Sequence, residues 1–357
     1  MTETKNEIKT ETRIKLFDSV QEVDNLQVEQ ARRINSATHE EIIAGQTSDI
    51  YFIKTQDILR HLGKDDTVVT AEIFARKPGL FVGIIEVLGL LQDAPVEVWA
   101  LPEGSEMQPK EVLCRITGRY SDFGVYETAI LGMLASASGW ATAAREIKQA
   151  CPDKPVSCFG ARHIHPAVAP VMERAALIGG CDACSCVLGA KLLGKYPSGT
   201  TPHALFLTVG DTVEAALAYD EIMAPDAARV ILVDTFRDEI EETMRVAEAL
   251  GDRLQGVRLD TPSERGGVTV GLVHELRQRL NLAGLDKVQI FVSGGLTPQR
   301  MQELSAAGAD AFGVGSFISG APAIDMTMDL KEVNGQPVAK RGRIPGITPN
   351  PRLQKMK

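Results

Sequence analysis

Hydrophobic and polar positions alternate along this chain in two different rhythms, and the change falls near residue 150. In the first half, capping-box spacing at Thr38 and Glu41 announces a short helix, and a second helix is expected over Ile50–Leu62. TVVTAEIFA around Val69 reads as a strand by its β-branched alternation, and FVGIIEVLGLL from Phe81 as a helix by its apolar stripe. VEVWAL and EVLCRITGRY are two more strands, separated by the turn-rich PEGSEMQP, and a long Ala- and Gly-rich helix runs from Val125 to Gln149. From Val156 onward, short apolar runs each end in Gly, Asp or Ser and give way to a helical pattern. They are VSCFGARH, CDACSCVLG, HALFLTVGD, RVILVDTF, GVRLDT, VQIFVSGG and AFGVGSFIS. Strands that alternate with helices pair in parallel, so the class is α/β, with an incomplete, about seven-stranded βα barrel.

The domain reading follows from this rhythm. Residues 1–35 form a charged, irregular extension, 36–150 an α/β sandwich domain, and 151–324 the barrel. The segment 325–345, with a strand pair turning at Asn334-Gly335, returns to complete the first sheet, and 346–357 is a basic, Pro-rich end. Composition narrows the function classes. With 38 Lys and Arg against 47 Asp and Glu the net charge is −9, which argues against a phosphate backbone as the main partner. The N-terminus is polar throughout, without the apolar core of a signal peptide. No apolar run approaches the roughly 18 residues of a membrane span. Six Cys in 357 residues do not make a disulfide framework, which suggests a reducing, cytoplasmic setting.

Candidate chemistry gathers at the ends of the later strands: Arg162, Asp211, Asp234, Asp260, Ser293 and Ser316. In a βα barrel the carboxyl ends of the strands carry the active site. Ser293-Gly294-Gly295 and Gly313-Val314-Gly315-Ser316 end consecutive late strands, where bare backbone N–H groups can approach a phosphate. Asp234 and Asp260 could hold ribose hydroxyls or a hydrated Mg²⁺, or could merely cap helices; Arg258 and Arg265 flank Asp260 with cations. Cys181, Cys184 and Cys186 lack a spaced fourth ligand, so a metal cluster is disfavoured. His163-Ile-His165 could open a metal-dependent hydrolase site, but too few His follow to complete it. The strand runs also contain no Lys to serve as an aldolase nucleophile. His203 by itself reads as an ordinary hydrogen-bonded histidine.

Taken in order, FGARHIHP, GTTPHA, VDTFRDE, RLDTPSERGG and VSGGL resemble the nicotinate phosphoribosyltransferases of the shorter archaeal and bacterial kind, within a group that includes nicotinamide and quinolinate phosphoribosyltransferases. The resemblance runs from about Thr38 to Arg343. It implies an α/β sandwich domain joined to an incomplete barrel, and transfer of a ribosyl 5-phosphate from phosphoribosyl pyrophosphate, carried with Mg²⁺, to the ring nitrogen of nicotinate. ATP hydrolysis would be coupled through a phosphohistidine, whose position His203 matches. By the same resemblance Phe159 stacks on the pyridine, with Tyr51 of a neighbouring subunit on its other face, so a homodimer is implied. Arg162 would meet the base carboxylate or the phosphoribosyl group, Arg258 and Asp260 the phosphoribosyl pyrophosphate, Asp234 the ribose or Mg²⁺, and the glycine loops the 5′-phosphate. His163 stands where many members carry a second Arg. Asp182 lies where the nicotinamide enzymes carry an Asp facing the amide, and would repel a carboxylated base. The alternatives left by the resemblance are a nicotinamide or quinolinate enzyme, or a catalytically silent ligand-binding homologue.

Overall fold

The computed structural model describes residues 14–29, 31–32 and 34–357. Its strands are β1 (Val68–Ala75), β2 (Gly79–Phe81), β3 (Glu97–Ala100), β4 (Ser105–Met107), β5 (Val112–Arg119), β6 (Val156–Cys158), β7 (Ala183–Cys184), β8 (Val230–Leu232), β9 (Gly256–Leu259), β10 (Gln289–Ser293), β11 (Ala311–Val314), β12 (Met326–Val333), β13 (Gln336–Pro337) and β14 (Gln354–Lys355). They form an antiparallel sheet in the order β13-β12-β1-β5-β3-β14, a parallel sheet in the order β7-β6-β11-β10-β9-β8, and the small pair β2-β4. The fold is mixed α/β, an N-terminal domain followed by a six-stranded parallel half-barrel.

In the first sheet β1 is central and its residues from Val69 to Ile73 are buried, as a strand covered on both faces must be. Its buried Glu72 is neutralised by Arg115 of β5 at 2.8 Å and accepts the Thr348 N–H at 3.0 Å. β12 pairs along β1 with Ile73 opposite Met328, and the turn to β13 places Asn334 at φ 49° and Gly335 at φ 73°, the left-handed pair that a tight hairpin needs. The last residues are not a free basic end. Leu353 is buried, Arg352 pairs with Glu111 at 2.6 Å, and β14 adds to the sheet edge beside β3.

The extension also differs from the irregular arm expected. Ser19 and Glu22 close a reciprocal capping box on a helix at Val20–Asn25, and the Val20 N–H is held by Asp57 at 2.7 Å. The segment 1–13 of that extension lies outside the described residues. The box at Thr38 and Glu41 is complete around the helix His39–Ile43.

The helix Glu127–Ala150 joins the two sheets. It buries Ile130, Leu134, Ala137, Ala141, Ala144 and Ile147 at three- and four-residue steps, a stripe along one side. Ile130 and Leu134 belong to the first core and Ala144 and Ile147 to the second, and each buried Ile or Leu contributes about 1.5–3 kcal/mol. Gly179 lets the helix Ala169–Gly179 lie directly on it, because a Cβ there would collide with the Ala141 carbonyl.

One of the seven expected barrel strands is not a strand. HALFLTV forms the helix His203–Val209, closed by Gly210 at φ 95°. Periodicity does not separate a short apolar run in a helix from one in a strand. Asp211 therefore ends no strand; it caps the helix Thr212–Ile222 through the Val213 and Glu214 N–H groups and pairs with Arg245 at 2.8 Å. The parallel sheet keeps the other six.

Candidate active site

The registers of the parallel sheet bring the strand ends to one level. Leu232 lies opposite Arg258, Leu259 opposite Val292, Ser293 opposite Gly313, and Val314 opposite Cys158. The residues just beyond form a rim: Phe159 to Arg162, Asp234 and Thr235, Asp260 and Thr261, Gly294-Gly295, and Gly315-Ser316.

Arg258 organises the centre of that rim. Its Nε donates to Ser293 Oγ at 2.9 Å, Nη1 to Thr200 Oγ1 at 2.9 Å and Nη2 to Asp260 Oδ2 at 3.1 Å, and its guanidinium lies 5.4 Å from the centre of the Phe159 ring. Burial holds its pKa below the usual guanidinium range, against the pull of Asp260 and Asp234. Ser293, 3% exposed, passes the network on by donating to Asp260 Oδ1 at 2.9 Å. Phe159 also rests 5.9 Å from Phe291, and Gly313 leaves it room: a Cβ there would sit 2.5 Å from the Phe159 ring.

Asp234 is the more deeply buried of the two rim aspartates, its side chain 1% exposed against 22% for Asp260. Its Oδ2 accepts the Asp260 N–H at 2.5 Å and the Thr261 hydroxyl at 3.3 Å. Its Oδ1 has no hydrogen-bond partner among the described residues. Burial pushes this carboxyl above the ordinary range, against the Asp260 N–H and the His203 ring, while the neighbouring Asp260 charge adds to the rise. His203 bonds Thr235 Oγ1 through Nδ1 at 3.0 Å and turns Nε2 toward Asp234 Oδ1 at 3.8 Å and Asp260 Oδ2 at 3.9 Å. An imidazole nitrogen thus faces two carboxylates at a half-open mouth.

Arg162 and His163 stand exposed on the turn Ala161–His163 after β6. His163 Nδ1 lies 3.3 Å from Ser319 Oγ, and partial burial beside Arg162 lowers its pKa. Gly294 and Gly295 adopt φ 94° and 59°, open backbone at the rim, and Ser316 is exposed at the start of the short helix Ser316–Ser319.

Besides Asp211, two of the sequence-derived positions are elsewhere. Asp182 lies at the opposite end of the sheet, before β7. Its N–H bonds the Val156 carbonyl, and its carboxylate accepts the Val156 N–H at 2.8 Å and Lys148 Nζ at 2.9 Å. Those contacts outweigh burial and hold it below the ordinary carboxylate range. The acidic residue of CDACSC therefore begins its strand, and Ser185 and Cys186 stand at the mouth, so no repulsion of a carboxylated base arises from Asp182. Tyr51 lies on the helix Ile50–His61 of the first domain, 57% exposed, its ring 4.3 Å from Phe52. It borders a small groove with Asp49, Glu127, Thr128 and Asp325.

The rim also includes residues that strand-end polarity did not single out: Thr200, Thr235, Thr261 and Glu239, which accepts from Thr261 at 2.9 Å. The threonines had a signal, since Asp-Thr ends both β8 and β9, at 234–235 and 260–261. Among the described residues no group of three or more His, Cys, Asp or Glu is arranged to hold a metal ion, and no helix is long and apolar enough to cross a membrane.

The strand ends of the half-barrel thus combine an Arg-centred polar network, a histidine facing two carboxylates and glycine loops. Family models assign the chain accordingly. Residues 49–138 match the N-terminal domain of quinolinate phosphoribosyl transferase and residues 140–329 its C-terminal domain, and the chain belongs to this quinolinate and nicotinate phosphoribosyltransferase family. It is similar to the nicotinate phosphoribosyltransferase pncB2 of Mycobacterium tuberculosis, 31% identical over 247 residues, which cover 67% of this chain and 52% of that protein. A probable nicotinate-nucleotide pyrophosphorylase (carboxylating) of Archaeoglobus fulgidus is 28% identical over 273 residues, 73% of this chain and 93% of that one. Among solved structures, the nicotinate-nucleotide pyrophosphorylase of Pyrococcus furiosus superposes with a TM-score of 0.83 at 47% identity, covering 88% of this chain and 82% of that one. Human nicotinic acid phosphoribosyltransferase shares the fold at 19% identity, with a TM-score of 0.66 over 84% of this chain and 77% of that one. The chain spans about half the length of the Mycobacterium relative.

Proposed function

We propose that the protein transfers a ribosyl 5-phosphate from phosphoribosyl pyrophosphate to the ring nitrogen of nicotinate, coupled to ATP hydrolysis, in the supply of NAD. The observation that carries this reading is the cluster His203, Asp234, Asp260, Arg258 and Ser293, joined across the ends of β8, β9 and β10.

Breaking the anomeric bond leaves oxocarbenium character on the ribose, and the pyridine nitrogen already has its lone pair, so no general base is required. Catalysis then rests on holding the reactants in line and on stabilising the departing pyrophosphate. Phe159 stacks on the pyridine, Arg162 meets its carboxylate, and Arg258 with Asp260 fixes the phosphoribosyl group. Gly294-Gly295 and Gly313 to Ser316 receive the 5′-phosphate on their N–H groups. Asp234 and Asp260 are all-oxygen ligands, and the unpartnered Asp234 Oδ1 suits a hydrated cation, so they would hold Mg²⁺ brought in with the pyrophosphate. Held there, the ion would supply positive charge to the departing pyrophosphate. His203, oriented through Nδ1 by Thr235, takes the γ-phosphoryl group of ATP on Nε2 with release of ADP, and water later breaks the N–P bond to give phosphate and the free imidazole. Tyr51, exposed beside its groove, reaches the second face of the pyridine in a homodimer with shared sites.

The second reading, quinolinate as substrate with release of carbon dioxide, is favoured by the likeness to the Pyrococcus structure. A dicarboxylate would need a second cationic clamp beside Arg162, and Arg258 is assigned to the phosphoribosyl group, with three of its N–H groups on Asp260, Ser293 and Thr200. Steady-state assays with nicotinate, nicotinamide and quinolinate, each with and without ATP, separate the readings. ATP-stimulated turnover of nicotinate supports the first; quinolinate turnover with carbon dioxide release replaces it with the second.

A further inference from the structure

Glu173 sits within the helix Ala169–Gly179 with 0% exposure, behind the rim rather than on it. Burying a carboxylate costs several kcal/mol unless oriented donors compensate it. Its donors come from two loops. Oε1 accepts the Ala161 N–H at 3.1 Å and the Ser185 hydroxyl at 3.0 Å, and Oε2 accepts the Cys186 N–H at 2.5 Å. Ala161 opens the turn that carries Arg162 and His163, one glycine after Phe159. On its other side the same turn abuts β11: a Cβ at Gly315 would sit 2.6 Å from the His163 ring and 3.0 Å from the Phe159 carbonyl. The turn is held from behind by Glu173 and from the side by the β11 loop.

We propose that Glu173 is a positioning residue for the transfer. It clamps the loops after β6 and β7 together, so that Phe159 and Arg162 meet the pyridine and its carboxylate in one orientation. The proposal rests on the functional reading above. It predicts a division between the substrates, because phosphoribosyl pyrophosphate is assigned to β8 through β11, which Glu173 does not touch.

The test is Glu173→Gln, whose amide can keep one oxygen toward Ala161 and Ser185 but then turns its NH₂ against the Cys186 N–H. Hydrogen exchange followed by mass spectrometry should quicken in peptides spanning 159–165 and 183–188 and stay unchanged over β9 and β10. In steady-state assays kcat/KM for the pyridine acid should fall by about ten- to hundred-fold, the scale of a misplacement near 1 Å, with the KM for phosphoribosyl pyrophosphate nearly unchanged. Ser185→Ala, which removes one donor, should give a smaller change confined to 183–188, and it serves if the glutamine variant fails to fold. Unaltered exchange in both peptides overturns the clamp. Equal changes in both KM values overturn the positioning role in favour of a purely structural one. A wild-type protein inert toward every pyridine carboxylate refutes the functional reading instead, and the exchange data still decide the clamp.

Discussion

Gly313→Ala adds one methyl group to the floor of the site, and its effect can be worked from the packing. The new Cβ would lie 2.5 and 2.6 Å from two atoms of the Phe159 ring and 3.0 Å from the Phe291 ring. To regain an ordinary contact of 3.4 Å the Phe159 edge must retreat by about 0.9 Å. It has little room, since Arg258 stands 5.4 Å away from the ring centre and Phe291 5.9 Å. Overpacking of this size costs about 1–3 kcal/mol, and each kcal/mol lowers Tm by only about 1–2 °C in a chain of 357 residues. The functional effect should be the larger, because a reactant platform displaced by about 1 Å can lose about a hundred-fold in rate. The expected result is a KM for the pyridine substrate raised about ten-fold or more. Gly271→Ala is the control: its Cβ meets only Thr269 Oγ1 at 3.9 Å, and it should leave kinetics and Tm close to wild type. If Gly313→Ala lowers Tm while the pyridine KM stays at the wild-type value, Phe159 is a core residue and not the pyridine platform.

Three further outcomes are expected. Ser293→Ala removes the hydroxyl between Arg258 Nε and Asp260 Oδ1 and leaves both charged groups short of a partner; chemical denaturation should register a loss of about 2 kcal/mol, and an unchanged midpoint would mean that water replaces it. His203→Ala should abolish stimulation by ATP and retain some uncoupled transfer, so persistent stimulation would remove His203 from the phosphoryl step. Burial, reinforced by the Asp329 charge, pushes Glu127 up to about 7, so the native state binds its proton more tightly than the unfolded chain. That contribution is complete below the unfolded value and is lost as pH rises through about 7. Glu127→Gln should therefore flatten the decline in Tm between about pH 5 and pH 8, and parallel profiles for the two proteins would contradict it.

The amino-acid order by itself determined the parallel layer, since short apolar runs ending in Asp, Ser or Gly and alternating with helical stripes have no other economical packing. It also determined the candidate rim, because a polar residue just past a buried strand end can project only toward the mouth. Asp234, Asp260 and Ser293 were readable for that reason, and so was the boxed helix start at Thr38, which depends on contacts three residues apart. Packing between distant segments decided what these local patterns leave open. HALFLTV is apolar enough for either a strand or a helix, and it became a helix in the span between β7 and β8. Asp182 stands one residue before a strand only two residues long, so whether its carboxylate faces the mouth or the far end depends on register against β6, where Lys148 and the Val156 N–H receive it. Glu173 reads locally as one acidic residue in an otherwise apolar helix face; three donors arriving from two loops give it a role, and only the folded chain brings them together.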